Sequence, residues 1–316
     1  MKRKATRTKF LDVRPSGRED FHQKTISTEL AVDALHRSGY LLETRMAKTL
    51  DQFASHLSVN VVFADPETGQ SRELDAYCFR AQTGSRYEFF TASAHVLIEC
   101  INNPQPIAFF SNGLSARTYP VTAARPMWLG LYPIEETIGL EDFHHCFRQG
   151  FANNYCTFVE KKSREWMATH ADEQHSEFTT LAMLAQLTRE KQLQVLEDYS
   201  RPQDAAEFCG IELIYPLLVA EGSLFNVRQN AKGAVRLESV NHVTYLKRLM
   251  WRGVRRYCPI DVITETFLPR FLRMIEVECK RTLARLEKRG EEILEAVREN
   301  KSVTNDSRDP LKDFLP

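Results

Sequence analysis

Apolar positions along this chain follow helical spacing first, then strand-like runs, then helical spacing again. Between Ser27 and Leu57, residues Leu30, Ala34, Leu42, Met46, Leu50 and Phe53 fall mainly three or four positions apart, which predicts helix. Gly39 breaks or joins two helical segments there. Val59–Ala64 and Glu73–Arg80 read as two strands of a hairpin around the turn Asp65–Gly69. Pro66 presets a turn dihedral and Gly69 supplies a positive φ where the chain reverses. Ala94–Ile101 is a nearly continuous apolar run, the pattern of a strand buried on both faces. A polar turn, Asn102-Asn103-Pro104-Gln105-Pro106, separates it from a short strand over Ile107–Phe110.

From about Leu140 to Ser200 the pattern predicts helix, with Glu and Lys spread through EKKSREWM and LTREKQLQVLEDY until Pro202 stops it. Ile211–Ala220 predicts a second buried strand, Leu224–Arg228 its continuation, and Asn241–Leu249 a further strand. Phe267–Arg298 predicts a long amphipathic helix with Leu268, Phe271, Leu272, Ile275, Cys279, Leu283, Leu286, Ile293, Leu294 and Val297 along one stripe, interrupted at Gly290. The stripe keeps no strict heptad, so packing on the protein's own sheet is expected ahead of a coiled coil. A homo-oligomer or a protein partner docked through this helix stays open as an alternative.

These elements predict an α/β protein whose mixed central sheet is flanked by helices, not a regular βαβ alternation. The expected organisation is a basic flexible tail over 1–26, a core over 27–139, a helical segment over 140–205, further strands and the long helix over 206–300, and a disordered tail over 301–316.

Composition narrows the function classes. With 316 residues and 43% hydrophobic content the chain can bury a substantial core. No apolar run approaches the roughly 20 residues of a spanning helix, and MKRKATRTK lacks the apolar region of a secretory signal. The expectation is therefore a cytoplasmic protein with no membrane partner. Lys plus Arg equals Asp plus Glu at 42 each, so nucleic-acid binding would have to be local. Lys2, Arg3, Lys4, Arg7 and Lys9 form a small basic arm, read either as a phosphate contact or as a solvated terminus. The seven cysteines are odd in number and scattered, with no C-x-x-C pair, which predicts free and mostly buried thiols. His144, His145 and Cys146 are adjacent and therefore diverge, and no second cluster has zinc spacing, so zinc is not expected. G-x-G-x-x-G, G-x-x-x-x-G-K-[ST], G-x-S-x-G and H-E-x-x-H are all missing.

Three acids remain as candidate chemistry. Asp75 in ELDAYCFR and Glu99 in HVLIECIN interrupt apolar segments, where an ionised carboxylate is costly unless paired or metal-bound. Glu43 lies on the preceding helix. Carboxylate oxygens meeting at the ends of neighbouring strands suit Mg²⁺, which polarises a phosphoryl oxygen and lowers the pKa of bound water. Taken singly, each acid also reads as an ordinary residue: Glu43 solvated and paired with Arg45 or Lys48, Asp75 at a strand edge, Glu99 a satisfied core carboxylate.

GYLLETR, RELDAY and LIEC, in helix–hairpin–strand order over about seventy residues, resemble the PD-(D/E)XK, restriction-endonuclease-like nuclease superfamily. The resemblance implies a metal-dependent hydrolase of DNA phosphodiesters, with Asp75 and Glu99 holding Mg²⁺ or Mn²⁺ and Glu43 assisting. It also places a lysine at position 101, where this chain has Ile101. Arg45 and Lys48 are candidate substitutes and nucleic-acid contacts, although five residues subtend about 500°, which turns Lys48 some 140° from Glu43. Asn102 and Asn103 are further candidate contacts or plain turn formers. The alternative is a catalytically inactive protein of the same fold that binds nucleic acid or a protein partner.

Overall fold

The computed structural model describes residues 26–65, 68–87, 90–102, 105–111, 128–130, 145, 151–169, 172–199, 209–230 and 232–298. The basic arm, Asn103, His144, Cys146 and the last residues of the chain lie outside this set.

Two helices open the described chain, α1 (Thr28–Arg37) and α2 (Tyr40–Asp51). Ser27 caps α1 by accepting the Leu30 N–H, and Gly39, at φ 83°, supplies the left-handed residue that lets α2 start in a new direction. The helical pattern was expected to reach Leu57, but β1 begins at His56, and β1 (His56–Ala64), β2 (Ser71–Thr83) and β3 (Phe90–Ile101) form an antiparallel meander. Both strands of the hairpin stand where the sequence put them, with the Gly69 N–H bonded to the Asp65 carbonyl and Gly69 at φ 69°.

β4 (Ile107–Phe110), β5 (Trp128–Gly130), β6 (Asn154–Glu160) and β7 (Trp166–Thr169) follow, then α3 (Asp172–Tyr199). The expected helix over 140–205 is corrected here. Among its described residues His145 is helical, Asn154–Thr169 is a β-hairpin, and Asp172–Tyr199 is the helix α3. EKKSREWM spans the tip of the hairpin, where Arg164 takes φ 63°, so charged residues that suggested a helix face are exposed hairpin residues instead.

After α3 come β8 (Cys209–Ala220), β9 (Leu224–Gln229), β10 (Val235–Val240), β11 (His242–Trp251) and β12 (Val254–Thr264), and the C-terminal helices α4 (Leu268–Lys288) and α5 (Gly290–Arg298). The main sheet runs β1-β2-β3-β8-β12-β11, with β5 paired to β8. A second sheet runs β10-β9-β4-β6-β7, so β9 leaves the main sheet instead of prolonging β8. β10 and β12 had no counterpart in the sequence reading.

β3 and β8 pair in parallel along their whole length, Phe90 with Cys209 through Ile101 with Ala220. Every residue of β3 from Ala92 to Glu99 is buried, as the continuous apolar run requires of a strand covered on both sides. This ladder ties residues from the expected core to residues from the expected segment over 206–300, so the two share one sheet. One face carries α2 and α4, the other α3. The stripe on α4 is spent on this packing: Leu268, Phe271, Leu272, Ile275, Cys279, Leu283 and Leu286 are buried against the sheet. Burying each such side chain fully contributes about 1.5–3 kcal/mol. The helix is interrupted next to Gly290 as expected, and the position also tolerates no side chain, since a Cβ there would stand 2.5 Å from the Tyr87 ring. Among the described residues no helix is long and apolar enough to cross a membrane.

Candidate active site

The β2–β3 ladder is regular as far as Ala76 opposite Ile98. One step further Asp75 faces Glu99, and there the pairing gives way to a side chain. The Cys100 N–H donates to Asp75 Oδ2 at 2.7 Å. Asp75 and Glu99 hydrogen-bond each other through their carboxyl groups, and Glu177 of α3 bonds Glu99 from the helix covering that face. Glu99 is 5% exposed, and its Oε1 has no hydrogen-bond partner.

Electrostatics follow from this crowding. Burial pushes the Glu99 carboxyl up to about 10, and the neighbouring charges of Asp75 and Glu177 push the same way. Asp75 is also raised, first by burial, with the Cys100 N–H and the bond from Glu99 working against the rise. Glu43, on the first turn of α2, is raised by burial and then by the charges of Asp75 and Glu73. The three predicted acids are thus in one neighbourhood, joined by Glu73 and Glu177, which the sequence reading did not single out.

The predicted cations are not in that neighbourhood as free groups. Arg45 Nε is 2.6 Å from Glu265 Oε1, and its Nη2 is 3.0 Å from Glu221 Oε1, so its guanidinium bridges α2 to the ends of β8 and β12. Lys48 is exposed. Asn102 donates from Nδ2 to the His36 carbonyl at 3.0 Å, which makes it a tie between the turn and α1. Ile101 is packed in the apolar layer beneath α3.

Along the same face lies a buried polar chain. His95 Nε2 and Glu212 Oε2 are 2.6 Å apart, and the Tyr77 hydroxyl is 2.8 Å from His95 Nδ1. Its groups satisfy one another, and it pins β2, β3 and β8 in register.

A second cluster occupies the opposite face. Register connects Ile98 to Leu217 and Leu217 to Asp261, so Asp261 points to the α4 side while Glu99 points to the α3 side. His145 Nε2 is 2.9 Å from Asp261 Oδ2, and His242 Nε2 is 2.8 Å from Asp261 Oδ1. The Thr244 hydroxyl donates to Asp261 Oδ1 at 2.9 Å. His145 Nδ1 is 3.0 Å from Glu278 Oε1, and the Tyr215 hydroxyl donates to Glu278 Oε2 at 2.9 Å. The histidines hold the Asp261 carboxyl far below its ordinary range against the opposing effect of burial, and the two carboxylates raise His145.

His145 was set aside in the sequence because its immediate neighbours diverge from it. The structure replaces those neighbours with His242 and Asp261, from strands far along the chain. The signal that singled out Asp75 and Glu99, an ionisable residue inside an apolar strand, was equally present at His95, Glu212 and Asp261. Compared with models of protein families, with curated proteins and with solved structures, the chain matches none of them.

Proposed function

We propose that this protein is a divalent-cation-dependent phosphodiesterase of the nuclease type, acting on DNA, in which Asp75 and Glu99 hold Mg²⁺ or Mn²⁺ and Glu43 is an accessory ligand or base. One observation carries the reading. Two carboxyl groups meet across the adjacent strands β2 and β3, and Glu99 is buried there beside Asp75 and Glu177 with its Oε1 accepting no N–H or O–H donor. Crowded carboxyls of this kind are offset either by a retained proton or by a bound cation that displaces it, and an all-oxygen donor set suits a hard cation. The order of helix, antiparallel hairpin and third strand carrying Glu43, Asp75 and Glu99 supports the family resemblance.

A bound cation would supply an activated water and a polarised phosphoryl oxygen. The chain's own groups supply position. The Cys100 N–H fixes Asp75, and burial under α3 fixes Glu99. Glu43, partly exposed and with a raised carboxyl, stands where it can take a proton from outside the pair.

A binding protein without turnover is the second reading, favoured by Ile101 being buried where the resemblance places lysine and by Arg45 being committed to Glu221 and Glu265. Incubation with single- and double-stranded DNA and RNA in Mg²⁺ or Mn²⁺ separates the two. The nuclease reading expects cleavage that falls at least about 100-fold in Asp75→Asn and Glu99→Gln. Cleavage untouched by Asp75→Asn would remove these acids from the chemistry. A silent wild type that gains cleavage as Ile101→Lys would assign the protein to the binding class.

A further inference from the structure

We infer that His145, His242 and Asp261 form a second metal site, for a borderline-soft divalent cation of the zinc type, which clamps His145 onto the β11–β12 side of the main sheet. The inference stands apart from the proposed nuclease chemistry, since none of these residues belongs to the acidic cluster and they lie on the other face of the sheet.

The ligand set comes first. Two imidazoles and one carboxylate, drawn from three separate stretches of chain, place their ligand atoms all within 4.8 Å of one another. Each imidazole turns its Nε2 toward Asp261, one to each oxygen, at 2.9 and 2.8 Å. Zinc bonds of about 2.0–2.1 Å in a tetrahedron set ligand atoms roughly 3.3 Å apart. The two Nε2–O pairs, at 2.9 and 2.8 Å, therefore open by about half an ångström, and ligand atoms lying as far as 4.8 Å apart close toward the same separation, to admit the ion. Mixed imidazole and carboxylate donors select zinc or its neighbours over Mg²⁺.

The surroundings are those of a metal ligand. A ligating histidine commonly has its other ring nitrogen held by a carboxylate, which fixes the tautomer and the ring orientation. Glu278 holds His145 Nδ1 at 3.0 Å and the His145 backbone N–H at 2.7 Å, so the ring is oriented from two directions. Tyr215 in turn fixes the far oxygen of Glu278, and stacks on the His145 ring with centroids 6.0 Å apart. Thr244, on the Asp261 oxygen facing His242, is a further oxygen for a fourth position.

The site is closed: the side chains of His145 and His242 are each 5% exposed and that of Asp261 1%. Its role is accordingly structural, joining β11, β12 and α4 to His145.

The test uses full-length protein stripped with a strong chelator and titrated with Co²⁺ as a visible probe. One equivalent of Co²⁺ per chain is expected, with the d–d absorption of a four-coordinate site, displacement by Zn²⁺ but not by excess Mg²⁺, and a higher melting temperature on loading. The absorption should persist in Asp75→Asn and vanish in His242→Gln. If His242→Gln does not fold, the wild-type and Asp75→Asn titrations still give the answer. A folded wild type with neither absorption nor a melting shift would leave only a hydrogen-bonded network and overturn the inference. Absorption lost in Asp75→Asn, or kept in His242→Gln, would place the metal elsewhere and overturn it equally.

Discussion

Glu99 and Asp261 are acids buried in the same sheet on strands that both flank β8, yet their surroundings push them in opposite directions. Glu99 is enclosed by burial, Asp75 and Glu177, and its carboxyl is driven up until it keeps its proton. Asp261 is buried more deeply, but His145, His242 and Thr244 supply donors to both its oxygens, and it stays ionised. Burial alone does not set the charge of an interior carboxyl. The identity of the groups within hydrogen-bond reach does. The contrast also sorts the two clusters by chemistry: one offers oxygens alone near the sheet's end, the other offers imidazoles in a closed interior.

The largest test of the contrast is Asp261→Ala. It leaves His145, His242 and Thr244 without their shared acceptor in a dry interior, and a loss of about 3–5 kcal/mol in urea unfolding is expected. A loss below about 1 kcal/mol would mean that water reaches the cluster and the contrast is false. Glu99→Gln should act in the opposite direction. Removing one of the crowded acids is expected to stabilise the chelator-treated protein by about 1 kcal/mol at pH 8 while abolishing any Mg²⁺-dependent gain in melting temperature.

The pH profile sharpens the same point. Because the folded state holds the Glu99 proton above its ordinary value of 4.5 and up to about 10, the unfolded chain releases it first. The contribution of this group is fully present below pH 4.5 and is lost as the pH rises toward 10. Unfolding measured in chelator across that range should show declining stability in the wild type and a flatter profile in Glu99→Gln. The smallest effect is expected at Arg45→Met, about 0–1 kcal/mol, because a pair this exposed is screened by solvent. A larger loss would show that Arg45 restrains the acidic rim more tightly than its exposure indicates.

Much of this was legible in the chain. The break at Gly39, the hairpin around Gly69, the two buried strands at β3 and β8 and the interruption at Gly290 all follow from local chemistry that no distant contact overrides. Asp75 and Glu99 were readable for the same reason, since an acid in an apolar run must be compensated, and Glu43 joined them through the order of elements. What failed depended on partners far along the chain. The segment Asn154–Thr169 has enough charge to look helical, but its hairpin lies in a second sheet whose neighbour β4 sits some fifty residues earlier. β12 carries Asp261 but has no clean strand pattern, since Pro259 interrupts YCPIDVIT. Glu177 could be tied to Glu99 only once α3 was laid across the sheet, and His145 could be read correctly only beside strands about a hundred residues away.

The amide of Cys100 has a consequence of its own. It is bonded to the carboxylate of Asp75 at a point where the neighbouring amides of β3 are bonded to backbone. Its proton therefore has a chemical shift and an exchange rate set by the charge on Asp75. In a spectrum of the labelled protein, that single resonance would follow occupancy of the acidic cluster directly, with no substrate, dye or engineered probe.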